Sequence, residues 1–221
     1  QAASIKATQV PSLSTAQLAA MEVRDVVKLT TAAIAALTTA QISVLTTAQI
    51  QGLTTAQVVA LETSDVAKLT TAQIAALTED QVAKLTTGQV QALTTQQIAA
   101  IETTDISKLT TAQVVALTSA QVSAITTQQL TNLTTDQIKS IETLDLQQLT
   151  TAQVAVLTNA QVPALTTAQV VALTTAQFVA LTTNEVSKLT TAQIAVIETA
   201  DLTVLNSDQI AAFTTAQIKA L

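Results

Sequence analysis

From Ile5 onward the chain divides into 27 consecutive eight-residue phrases with no residue inserted or lost (4 + 27 × 8 + 1 = 221). Position one of every octad is apolar, from Ile5 and Leu13 to Leu205 and Phe213, and position six is Val, Ile or Leu throughout except at Phe178. Position five is Gln in twenty of them. An array this intolerant of insertion packs each unit against equivalents of itself, which is the mark of a solenoid.

Neither regular element can run through the repeat. In one continuous α-helix eight residues advance an apolar stripe by roughly 80°, so the stripe circles the helix and buries nothing. In a plain strand, positions one and six have opposite parity and point to opposite faces. Each octad must therefore reset its own direction. The phrase Thr-Thr-Ala-Gln supplies the reset, because Thr at position two and Gln at position five form a capping box. A cap every eight residues starts a new short helix every eight residues, and helices this short persist only by stacking on neighbours. Pro11 and Pro163 both fall at position seven. Proline lacks a donor and restricts the residue before it, so the expected octad is one helical turn over positions two to six and an extended return over seven, eight and one. The fold class that follows is all-α: a tightly wound solenoid of capped helices of about one turn, one per octad, forming an elongated rod. It occupies residues 5–221 as a single array, with residues 1–4 as a lead-in.

Composition narrows the core. Hydrophobic residues make up 48% of the chain, yet only Phe178 and Phe213 are aromatic. Without rings to fill a wide interior, a narrow column is expected. His and Cys are absent, which removes the usual general bases, thiol nucleophiles and zinc ligands. With Gly52 and Gly88 the only glycines, no phosphate-cradling loop is available. The expectation is a protein that is no enzyme, with no catalytic, cofactor-binding or metal residues. A net charge of −6 disfavours nucleic acid. The uncharged stretch from Leu149 to Asn184 carries Thr or Gln every few residues, so no membrane span is expected. The opening QAASIKAT has neither Met nor a signal-peptide core, and Leu221 is the first letter of another octad. A mature product or a window of a longer chain is expected.

A second period overlies the first. The octads MEVRDVVK from Met21, LETSDVAK from Leu61, IETTDISK from Ile101 and IETLDLQQ from Ile141 recur at every fifth phrase. LTTNEVSK from Leu181 keeps the series with Glu185 and Lys188, and IETADLTV from Ile197 breaks it. The acids suit the first turn of a helix, and Asp65–Lys68, Asp105–Lys108 and Glu185–Lys188 are expected as weak i,i+3 pairs. Calcium binding is the sharper reading, but these octads lack the turn glycine that a calcium loop uses, and solvated structural charge is favoured. If the period is mechanical, five octads make two superhelical turns of two and a half octads each. Asp25, Asp65, Asp105 and Asp145 then project as one stripe continued by Glu185, with Asp201 off the line.

Two resemblances follow from these phrases. LTTAQVVA at Leu53 and Leu109, with LTTAQFVA at Leu173, resembles the opening of the repeats in TAL-effector DNA-binding proteins, but the base-reading loop and second helix are missing and the charge is wrong. The whole array from residue 5 to 221 resembles the tandem LTTAQ-type and IETxD-type segments of very large bacterial secreted or cell-surface proteins, described as adhesin-like or related to RTX proteins. That resemblance implies an extracellular or cell-surface role as stalk, spacer or filament-forming scaffold, with self-association end to end or laterally, or continuation within a longer chain. The Gly- and Asp-rich calcium nonapeptides of RTX proteins do not occur here. The alternative is a surface-binding module, of ice- or adhesion-type, that presents its ranked threonines to a lattice.

Overall fold

The computed structural model describes residues 4–221. Among them there is no strand; the chain is a series of α-helices of four to six residues with short 3₁₀ turns between some of them. Most of the lead-in assigned to residues 1–4 lies outside the described residues. Two compact units divide the chain, Gln1–Ala116 and Leu117–Leu221, and the division falls between two octads.

The octad from Leu69 shows how each phrase folds. Thr70 is extended (φ −71°, ψ 159°), its side chain accepts from the Gln73 N–H at 3.2 Å, and Gln73 Oε1 accepts from the Thr70 N–H at 2.7 Å. Both halves of the capping box are closed, and Thr71–Ala75 follows as helix. The Leu77 N–H then bonds the Ile74 carbonyl at 3.1 Å, which ends the helix and hands an extended residue to the next cap. The helix ends at position six, as the sequence predicts, in Thr63–Val66 and Thr151–Val154, and runs further in most other octads. It starts at position three and reaches position eight in Thr47–Gly52 and Thr87–Ala92, leaving only positions one and two extended. The Ala and Val common at positions seven and eight continue a helix readily, and the break is made by the cap geometry at position two.

The prolines are accommodated locally. Pro11 lies in the 3₁₀ segment Ala7–Ser12 and Pro163 in Val162–Ala164. In octads such as that from Leu61 the position-seven N–H bonds the carbonyl four residues back, as Ala67 does to Thr63. Proline cannot make that bond, so bonds over three residues replace it, such as Ala164 N–H to the Gln161 carbonyl at 3.0 Å.

Positions one and six line the interior of each unit. Leu29 to Leu109 at position one, and Val26 to Val114 at position six, are buried in the first unit; Ile125 to Leu189 and Val122 to Ile194 are buried in the second. Leu109 is 4% exposed, as its register requires. Towards the C-terminus Ile210 and Ile218 keep the pattern but are half-exposed. An apolar cavity of about 10 Å³ lies among residues such as Leu61, Val66 and Leu69 of the first unit, at the lower limit for a single water.

Helices stack on helices three octads away: Thr71–Ala75 on Thr95–Ala100 in the first unit, Thr167–Ala172 on Thr191–Ile194 in the second. One superhelical turn therefore takes three to four octads, against the two and a half expected. The absence of rings misleads here, because some seven aliphatic side chains per turn fill a wider column than two or three bulky ones would need. At this winding a five-octad spacing is not a whole number of turns, so Asp25, Asp65 and Asp105 cannot line up along the first unit. The five-octad period has no such mechanical meaning.

Candidate functional site

The feature that recurs through both units is a seam of buried amides. In the first unit every position-five glutamine from Gln41 to Gln113 is at most 2% exposed. Capping employs only its oxygen. The Nε2 group of Gln73 reaches the preceding coil and donates to the Ile42 carbonyl at 2.9 Å and the Leu45 carbonyl at 2.7 Å, 31 and 28 residues back. Gln49 does the same to Leu18 and Met21, Gln89 to Val58 and Leu61, and Gln113 to Val82 and Leu85. In the second unit Gln161 bonds Leu130 and Leu133, Gln177 bonds Leu146 and Leu149, and Gln217 bonds Val186 and Leu189.

The targets explain the spacing. A helix end leaves carbonyls without partners, and the position-one carbonyl, extended and turned away from its own helix, is one of them. A turn of about three and a half octads (28/8 = 3.5) sets position five of one coil over the junction between two octads below, where that carbonyl lies. Among the described residues, backbone–backbone bonds outside the helices span three or four residues, and side chains bond one coil to the next. Sequence reasoning found the cap and missed the seam. The available signal was the near-exclusive use of Gln. A cap alone is served as well by Glu, which the helix dipole favours, whereas only an amide accepts at one atom and donates at the other.

The acidic octads stand in this seam, not on a solvated stripe. Asp65, Asp105, Asp145, Glu185 and Asp201 are all at most 7% exposed, because position five faces the neighbouring coil whatever residue fills it. Asp25 is half-exposed and keeps a long ion pair with Lys28 at 3.9 Å. None of the expected pairs Asp65–Lys68, Asp105–Lys108 and Glu185–Lys188 closes. The lysine at position eight points outward, and Lys108 instead meets Glu79 of the adjacent coil at 3.0 Å. Asp105 receives the Thr104 hydroxyl at 3.0 Å, Asp145 the Ser119 hydroxyl, and Glu185 Oε2 the Thr182 N–H. Asp65 Oδ2 is buried with no partner. Burial raises the Asp65 carboxyl above the usual range, with the nearby Glu62 adding to it. Burial also raises Asp105, opposed by the Thr104 hydroxyl, and Glu185, opposed by its bonds to Thr182. Among the described residues no group of three or more His, Cys, Asp or Glu could hold a metal, and no helix is long and apolar enough to cross a membrane.

A stack of short capped helices joined by side-chain amides defines a helical-repeat solenoid. The chain belongs to the ALTTAQ repeat family, whose model matches residues 18–55, 58–95, 98–135, 138–175 and 194–221. The first four matches begin five octads apart, in step with the charged octads; the fifth begins two octads late, the same slip that IETADLTV makes. None of the curated proteins matches the sequence.

Proposed function

We propose that the protein is a structural, non-enzymatic rod that acts as a stalk, spacer or filament-forming scaffold outside the cell, at a bacterial surface. The observation that carries this reading is the seam. Each coil holds amide donors for the coil before it and carbonyl acceptors for the coil after it, so length grows by adding octads without any new kind of contact. The same complementarity supports end-to-end association of copies, since a coil from another chain offers the same bonding groups. Membership of a tandem-repeat family fits a structural role. Electron microscopy of the purified chain tests it: rods of uniform width are expected, and compact globules would overturn it. Surface labelling of intact cells tests the location.

The surface-binding alternative predicts threonines in register from coil to coil. Against it stands the stagger. Thr63 at position three lies beside Gly88 at position four, and Asn159 at position three bonds Asn184 at position four. A thermal-hysteresis assay decides between the two, with activity favouring the alternative.

A further inference from the structure

Glu185 is the one glutamate that takes the glutamine position, and it performs half of the glutamine's work. Its Oε2 accepts from the Thr182 N–H at 2.5 Å, and its own N–H donates to Thr182 Oγ1 at 3.3 Å. The other half of the work lies across the seam. Gln177 and Gln193, one octad to either side, donate to carbonyls 28 and 31 residues back. The same register sets Glu185 over the carbonyls of Leu157 and Val154. The Val154 carbonyl already accepts from Leu157 N–H at 3.1 Å, whereas among the described residues nothing donates to the Leu157 carbonyl. A carboxylate has no proton to offer it, and two oxygen-bearing groups facing each other in a buried seam repel.

We propose that Glu185 makes the seam at this point proton-gated: its neutral acid donates an O–H to the Leu157 carbonyl, in place of a glutamine N–H, and its charged form cannot. The proton comes from water, and no other bond changes. Length favours the fit, since glutamate and glutamine have the same reach. Asp65 is a weaker instance in the same register over Ile34 and Leu37. It is one methylene shorter, and its buried Oδ2 without a partner marks the same shortage of donors. Few charges compete at Glu185. The Thr151–Val154 helix and the Val162–Ala164 turn of the coil before it carry none, Ser207–Ala211 of the coil after it carries only Asp208, which is exposed, and its own helix carries Lys188. Burial, which raises the folded carboxyl above its unfolded value, acts in the same direction. The sign follows. Stabilisation by the neutral acid is complete below the unfolded value of about 4.3 and is lost as pH rises through the higher folded value.

The test compares melting of the parent with Glu185→Gln between pH 7.5 and 4.5. Glutamine supplies the donor at every pH, so the variant should melt about 2–4 °C higher at pH 7, and the gap should close on acidification. The exposed Glu142→Gln, which removes the same charge, should show no gap that closes with pH. The reverse change, Gln177→Glu, should lower the midpoint at pH 7 and recover it in acid. A Glu185→Gln gap that is absent at pH 7, or that stays constant across the range, overturns the proposal, as does a Gln177→Glu defect that acid leaves unrelieved.

Discussion

Gln113 holds three backbone groups with one side chain: the Thr110 N–H at 2.6 Å through its oxygen, and the Val82 and Leu85 carbonyls at 3.1 and 2.6 Å through its nitrogen. Its removal is therefore worse than the loss of a cap. Thr110→Ala should cost about 1 kcal/mol, the usual value for an N-cap. Gln113→Ala removes a cap partner and strands buried carbonyls as well, so it should cost about 2–4 kcal/mol. Val115→Ala, at a side chain 45% exposed, should stay within about 0.5 kcal/mol. Chemical denaturation of the three variants gives the order, and a Gln113 variant as stable as the Thr110 variant would remove the seam from the account. The two apolar positions and the Thr–Gln cap were legible in the sequence because each acts within eight residues. The far end of Gln113 was not, because its partners lie 28 and 31 residues back and only the winding brings them under it. The same blindness put Asp65 and Asp105 on the surface, where isolated carboxylates usually belong, although they share the position of a residue now known to be buried.

At the scale of the element, the helices are too short to be stable by themselves, and single backbone changes should read out how each one leans on its neighbour. Both glycines sit inside helices, Thr47–Gly52 and Thr87–Ala92, so alanine gains helix propensity at either. At Gly88 an added methyl meets Thr63 Cγ2 at an ordinary 3.7 Å and Thr86 Oγ1 at 4.0 Å. Gly88→Ala should therefore stabilise by about 0.5–1 kcal/mol. At Gly52 the methyl would fall 2.4 Å from Val23 Cγ1 on the preceding coil. Turning that β-branched side chain aside costs about 0.5–1.5 kcal/mol, which offsets the gain. Melting the two variants side by side should rank Gly88→Ala above Gly52→Ala, and the opposite order would place the coils wrongly. Helix existence and start were readable from Thr and Gln; helix length was not. Two prolines at position seven suggested a return there, but Pro11 and Pro163 lie in three-residue closures of their own octads, and octads such as Thr47–Gly52 run on to position eight.

For the whole molecule, the unit that matters is the octad and not the residue. Duplicating Leu69–Ala76 moves everything after it by one complete phrase, so each later glutamine still faces a position-one carbonyl in the coil before it. Duplicating only Leu69–Ala72 moves the later chain by half a phrase and turns apolar positions outward for as long as the mismatch lasts. Circular dichroism and thermal melting should show cooperative melting and the parent's helical content per residue for the first variant, and a loss of cooperativity for the second. Equal tolerance of both would sink the register argument. The seam also has a direction. Every amide belongs to the later coil and every carbonyl it holds belongs to the earlier one, as Gln97 bonds Val66 and Leu69 and Gln193 bonds Val162 and Leu165. A chain emerging N-terminus first, from a ribosome or a secretion channel, thus presents its acceptors before the donors that will use them. Each new octad meets a finished ledge and docks onto it, so folding can keep pace with delivery, with only about one coil of unfolded chain exposed at any moment.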